Sequence, residues 1–214
     1  LAQAFFGLLV VIAMATSARW SSLTSSSNHE ALKRVRIVAI TTAIVIYIQL
    51  ALGATMRHQH RDLAILDFPT ANGSWLPETS PAALARINAW RDTRALSDVT
   101  AFQIWLHMAH RFGAIIVAGG TLALWSAVRK PGLESPLLGT LSNLLVGLVG
   151  CQIALGAWTI WSNKAADVAT THVAVGATIF AVAVAVCAIC YRLSWIGPSV
   201  EFPVAESSRL TVTS

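Results

Sequence analysis

The sequence predicts an all-α, polytopic membrane protein: a four-helix transmembrane bundle built from two helix–loop–helix repeats, plus one N-terminal helix remnant. Three observations predict it. The 214 residues are 55% hydrophobic and only 12% charged, with a mean hydropathy of +0.63; that is membrane composition. Apolar residues gather in runs near the ~20 that a spanning helix needs, at 35–56, 102–128, 137–161 and 168–193, with a shorter run at 1–16. The motif Q-x-A-L-G-A occurs at 49–54 and again at 152–157, an offset of 103 residues (152 − 49).

The elements follow in order. The run 1–16 starts at Leu1 inside apolar sequence, without the basic stretch that opens a signal peptide. It reads as the surviving end of a longer helix. Residues 17–32 form a Ser-rich connector in which His29 is a solvated loop residue. After the run 35–56 comes a long polar loop, 57–101, punctuated by turn signals at Pro69, Asn72-Gly73 and Pro77. A short surface helix is expected at 82–90. Ile65, Leu66, Phe68 and Trp75 are expected to fold the loop onto the outer mouth of the bundle, with Asp67 anchoring it or relaying protons. The runs 102–128 and 137–161 are joined by the link 129–136. After 168–193 the tail, 194–214, is polar, with Pro198 and Pro203, and is expected to be flexible.

The net charge of +5 does not point to nucleic acid, because the basic residues are spread over the connecting segments. Arg19, Lys33, Arg34, Arg36, Arg129, Lys130, Arg192 and Arg209 fall on one side if the helices alternate. Positive loops stay inside, so connector, link and tail are expected in the cytoplasm. Arg57, Arg61, Arg86, Arg91 and Arg94 lie in the long loop, where Asp62, Asp67, Glu78, Asp92 and Asp98 balance them. Cys151, Cys187 and Cys190 all lie in apolar runs, where free cysteine is a packing residue. The CxxC spacing of the last two forms no disulfide framework.

Chemistry concentrates in QIWLHMAHRFGA, 103–114, with His107, His110 and Arg111, and in ATTHVAVGA around His172. An ionisable side chain inside a membrane-length helix marks a functional site by default, although a lone histidine there is more often a packing contact. Matching positions in a two-copy repeat favour a shared ligand role for His110 and His172, at the interface between copies. Gly113 lies three residues after His110 and Gly176 four after His172, each on its histidine's helix face, where a flat macrocycle could lie. Two imidazoles from facing helices are one way to hold a heme iron in a bundle, and Arg111 could pair with heme propionates. His107 is a propionate contact, a proton donor, an alternate ligand or simply a mouth residue. His58 and His60 are a weak metal pair, and no carboxylate or cysteine completes the HxxH of His107 and His110.

The stretches IQLALGATMRHQHRDLAILDFPTANG, LHMAHR and CQIALGAWTIWSNKAADVATTHVAVGA, in that order, resemble the heme A synthase family. The resemblance covers roughly 35–192. It implies a membrane oxidoreductase of two similar four-helix halves, each with a histidine pair, that converts the C8 methyl of heme O into the formyl of heme A for terminal oxidases. It implies that 35–193 is one half, with His110 and His172 as axial ligands of a heme b. Residues 1–34 would be the last helix of the preceding half and a connector, and heme O synthase and oxidase assembly factors would be partners. Two departures bear on this. Some members carry a cysteine pair in the loop, near Ile65 and Ala71, and this loop has none. The catalytic half has Glu three residues before its first histidine, where this chain has His107. Both fit a cofactor-holding half, and no catalytic residue is assigned. The alternatives are a b-type cytochrome that only carries electrons, with the same ligands, and a non-heme transporter built from a repeat. The latter would need broken helices and a polar pathway, whereas the midplane segments lack Asp, Glu, Lys and Arg.

Overall fold

The long apolar runs carry no interior proline; Pro81 and Pro136 stand only in first turns, behind the capping hydroxyls of Ser80 and Ser135. The runs therefore propagate as unbroken helices. The computed structural model describes residues 2–21, 23, 28–59, 63–131, 133 and 135–195. The tail beyond Trp195, Arg209, His60, Arg61 and Asp62 lie outside the described residues. The order is α1 (Ala2–Ala15), α2 (Ala18–Ser21), α3 (His29–Gln59), α4 (Pro81–Asp92), α5 (Ala101–Val128), α6 (Pro136–Trp161) and α7 (Ala166–Ser194). No strand occurs among the described residues. By length and composition α3, α5, α6 and α7 can each cross a membrane, as the four expected runs require.

Two boundaries differ from the sequence expectation. Asn28 Oδ1 accepts the Ala31 N–H at 3.0 Å, so α3 starts at His29. His29, Lys33 and Arg34, expected ahead of the run that opens at 35, are thus helical, because a cap upstream outweighs the polar composition of the first turns. The expected surface helix is real and longer, Pro81–Asp92, with Ser80 Oγ accepting the Ala83 N–H at 3.2 Å.

α3 packs on α5 and α7, and α6 packs on the same two helices. The four close a ring with α3 across from α6 and α5 across from α7. The core stripe explains the ring. Four of the buried residues of α3, Val35, Ala39, Thr42 and Ile46, correspond to four of those of α6, Leu138, Ser142, Leu145 and Val149. Each pair is 103 residues apart (138 − 35, 142 − 39, 145 − 42, 149 − 46). The motif repeat is therefore the visible end of a packing repeat that runs from Val35 on α3 and Leu138 on α6 into the two motifs. The steps alternate four and three residues, a period that keeps one seam facing its neighbours. Thr42 donates to the Gly120 carbonyl at 3.2 Å, and a Cβ at Gly120 would lie 3.1 Å from Thr42 Oγ1. α3 and α5 approach closely there because position 120 has no side chain.

α7 is the most enclosed span, with 44% of its apolar window buried against 17–22% for the others. α1 is the reason, since it packs on the outside of α7; a Cβ at Gly7 would sit 3.2 Å from the Phe180 ring. Cys190 is buried in the main core and Cys187 packs against it, whereas Cys151 is on the outer surface. All three are free thiols. Ile37, Ile40, Ile44, Ile115, Ile116 and Leu122 face outward from the ring, as a lipid-facing belt must.

The loop between α3 and α5 is folded. Asn72 and Gly73 both take positive φ, 54° and 81°, and close a two-residue turn in which Ala71 and Ser74 exchange backbone hydrogen bonds of 2.7 and 3.3 Å. Asp67 holds that turn from inside. Its Oδ1 accepts the Asn72 N–H at 2.7 Å, and its Oδ2 accepts the Thr70 hydroxyl at 2.7 Å and the Gly73 N–H at 3.0 Å. Ala64, Ile65, Ala71 and Val99 form a small second core with Ile104 and Met108 of α5. Phe68 packs edge-on against Trp161 at 6.0 Å. The loop thus caps the mouth as its apolar residues predict, with one exception: Trp75 is 74% exposed.

Candidate functional site

The site lies at the loop end of the ring. Thr100 and Gln103 form a reciprocal capping box that fixes the first turn of α5 and hence the angular positions of His107, His110 and Arg111. α7 is set differently. Only 162–165 separate it from α6, and Asn163 and Lys164 take positive φ of 49° and 62°. The Lys164 N–H reaches back to the Thr159 carbonyl at 2.8 Å. This tight reversal brings His172 beside Gly156.

The inward stripe of α3 continues through Gln49 and Gly53, and that of α6 through Gln152 and Gly156. These are the motif residues, and they are what the histidines touch. A Cβ at Gly53 would lie 3.1 Å from His110 Cε1, and one at Gly156 would lie 3.3 Å from His172 Cε1. Each imidazole rests on backbone made bare by glycine. Gln49 Nε2 donates to the His110 carbonyl at 2.7 Å, while Gln152 Nε2 lies 3.4 Å from His172 Nε2. The two sides are alike in layout and differ in what the amide bonds.

His110 and His172 come from α5 and α7, helices on one diagonal of the ring. Nδ1 of both histidines and Oε1 of both glutamines are buried without a hydrogen-bond partner among the described residues. Four orphaned polar atoms in two related pairs are costly at this depth. They fit a ligand that supplies an electrophile to nitrogen and something polar to the amides. The glycine faces at 113 and 176 are not bare. The Gln49 amide lies over Gly113, and Gln152 Nε2 and Leu50 Cδ2 come within 3.0 and 3.1 Å of a Cβ position at Gly176.

The neighbouring candidates hold the loop. His107 is buried, and its Nδ1 accepts the Ile65 N–H at 3.3 Å. Arg111 donates to the carbonyls of Asp67 at 2.6 Å and Thr70 at 2.8 Å, with its guanidinium 5.6 Å from the Phe68 ring centre. Asp67 is the anchor of its turn. Burial alone would raise its carboxyl, but the hydrogen bonds from Gly73, Thr70 and Asn72 prevail and hold it below the ordinary carboxylate value. His58 is exposed at the end of α3, and the described residues contain no group of three or more His, Cys, Asp or Glu fit for a metal ion.

Sequence reasoning missed Arg91. It is 1% exposed, and it donates to the Ser97 carbonyl at 2.7 Å and to Leu63 at 3.0 Å, tying both ends of the loop together. Asn88 adds a two-way bond to the Val99 backbone, at 2.9 and 3.1 Å. Gln49, Gly53, Gln152 and Gly156 had a signal, the repeat itself, but it was legible only as a repeat.

Residues 1–184 match the sequence profile of one family, described as cytochrome oxidase assembly protein. The chain belongs to that family. Among its curated relatives are the heme A synthase of Rhizorhabdus wittichii, 25% identical over 79% of this chain, and that of Sphingopyxis alaskensis, 28% identical over 71%. The heme A synthase of Shewanella oneidensis is 29% identical over 63%. The chain spans 42, 39 and 40% of the lengths of these relatives. No solved structure matches it. The resemblance to the heme A synthase family therefore rests on 63–79% of the chain and not only on the three motifs.

Proposed function

We propose that this cytochrome oxidase assembly family member is the heme b–holding segment of a heme A synthase, a membrane oxidoreductase that takes the C8 methyl of heme O to the formyl of heme A. One observation carries the proposal: His110 and His172, across the ring from each other, each rest on a glycine of a repeated motif and each keep a buried Nδ1 without a partner. In this reading His110 and His172 would hold the heme iron. Gly53 and Gly156 set the depth of each imidazole, while Gln49 fixes the main chain of His110 through its carbonyl and Gln152 lies beside the His172 ring. Arg111 and His107 hold the loop over the mouth and exclude water, and Gly113 and Gly176 leave room for the glutamine amides. When bound, the heme supplies one-electron redox chemistry.

Residues 35–193 would form this half, with 1–34 entering from a preceding one. Connector, link and tail would lie in the cytoplasm of a cell whose inner or plasma membrane houses the enzyme. Heme O synthase and terminal oxidase assembly factors are the partners this role implies.

The test is a pyridine hemochrome assay and a reduced-minus-oxidised spectrum on the full chain beside His110→Ala and His172→Ala. A b-type, low-spin spectrum, lost or made high-spin in either variant, is expected. A colourless protein that takes up no added heme would overturn the proposal.

A further inference from the structure

At the opposite end of the bundle is a cleft of about 420 Å³ lined by Trp20 and Ser21 of α2, Tyr191 and Arg192 of α7, and Trp195 just past it. α7 has 29 residues, so at 1.5 Å per residue it is about 43 Å long, more than the ~30 Å hydrocarbon core. Its last turn therefore stands at headgroup level. Tryptophan and tyrosine favour that level, and three of the five lining residues are of those types. Arg192 Nε is buried and has no hydrogen-bond partner among the described residues, while its guanidinium lies 5.6 Å from the Trp195 ring centre. Among the described residues no carboxylate lines the cleft. Arg36 reaches the Ser194 hydroxyl at 3.0 Å and adds a second cation beside the helix end. A buried guanidinium donor needs an acceptor, and at this depth the abundant acceptor is phosphate.

We propose that this cleft binds the phosphate of an anionic phospholipid headgroup, with Arg192 as the donor and Trp20, Tyr191 and Trp195 as walls for the glycerol and first acyl methylenes. The site is independent of the heme reading and lies away from the histidines.

The test is native mass spectrometry of the full chain released from micelles containing phosphatidylglycerol and phosphatidylcholine in equal amounts. Wild type is expected to retain phosphatidylglycerol by about fivefold or more over phosphatidylcholine, the scale of one basic contact at a membrane surface. Arg192→Gln is expected to reduce that preference to parity, and Arg94→Gln, exposed at the other end, to leave it intact. If Arg192→Gln does not fold, Trp195→Ala takes its place and is expected to weaken retention with the charge unchanged. Equal retention of the two lipids by wild type, an equal loss in Arg94→Gln, or displacement of the lipid by millimolar inorganic phosphate would overturn the proposal.

Discussion

Each histidine of the site is defined by what its partner position lacks. At Gly53 and Gly156 a methyl group would stand 3.1 and 3.3 Å from an imidazole carbon, tighter than ordinary contact, and the ring could yield only by shifting from its place. Gly53→Ala and Gly156→Ala are therefore expected to lower heme affinity about tenfold, as outer-shell changes at metal sites do, read as heme absorbance per protein in a titration. Gly119→Ala is the control, since nothing lies within 4 Å of its added Cβ, and it should bind as wild type. Sequence spacing pointed to Gly113 and Gly176, which share a helix face with the histidines. It could not reach Gly53 and Gly156, because contact across helices depends on the pairing of α3 with α5 and of α6 with α7. The repeat was plain in one dimension, and its purpose needed three.

At the scale of elements, the loop 63–100 behaves as a small folded cap on α5. Arg91 is its centre: removing the side chain strands the carbonyls of Leu63 and Ser97 and empties a buried space. Arg91→Ala should destabilise the cap by about 3 kcal/mol, seen as faster limited proteolysis between 63 and 100 while the spanning helices stay protected. Asp67 supplies a pH-dependent share. Its carboxyl is depressed in the folded chain, so the stabilisation is full above the ordinary carboxylate range and is lost as pH falls through the lower folded value. Proteolysis of the loop should accelerate only below about pH 4, and Asp67→Asn should be accelerated already at neutral pH and lose that acid step. The turn at Asn72-Gly73 and the helix at 81–92 were legible because local chemistry fixes both. Arg91 was not, since in sequence it is one of several loop charges balanced by acids, and nothing local says that carbonyls from both loop ends will surround it.

For the whole molecule, four spans and a 103-residue motif repeat were legible, because a membrane forces backbone bonds to close within each helix; the packing repeat behind the motif was not, since which face is buried depends on how the helices pair. Continuous spans also remove the broken helices that a transporter would need. The disposition follows from the same frame. α3 and α6 run toward the folded cap, α5 and α7 run away from it, and so Ser74 and Lys130, both exposed, lie at opposite ends of the bundle. With Cys151, Cys187 and Cys190 replaced by Ala, Ser74→Cys and Lys130→Cys should react with a membrane-impermeant maleimide from opposite faces. Lys130→Cys is expected to react only after the cytoplasmic face is opened, because Arg129 and Lys130 sit in a short link, where basic residues weigh most in orientation. Labelling of both from one face would contradict the single crossing that α5 imposes between residues 74 and 130. Labelling from opposite faces with the sides exchanged would leave the bundle intact and move the histidine site to the cytoplasmic half of the membrane.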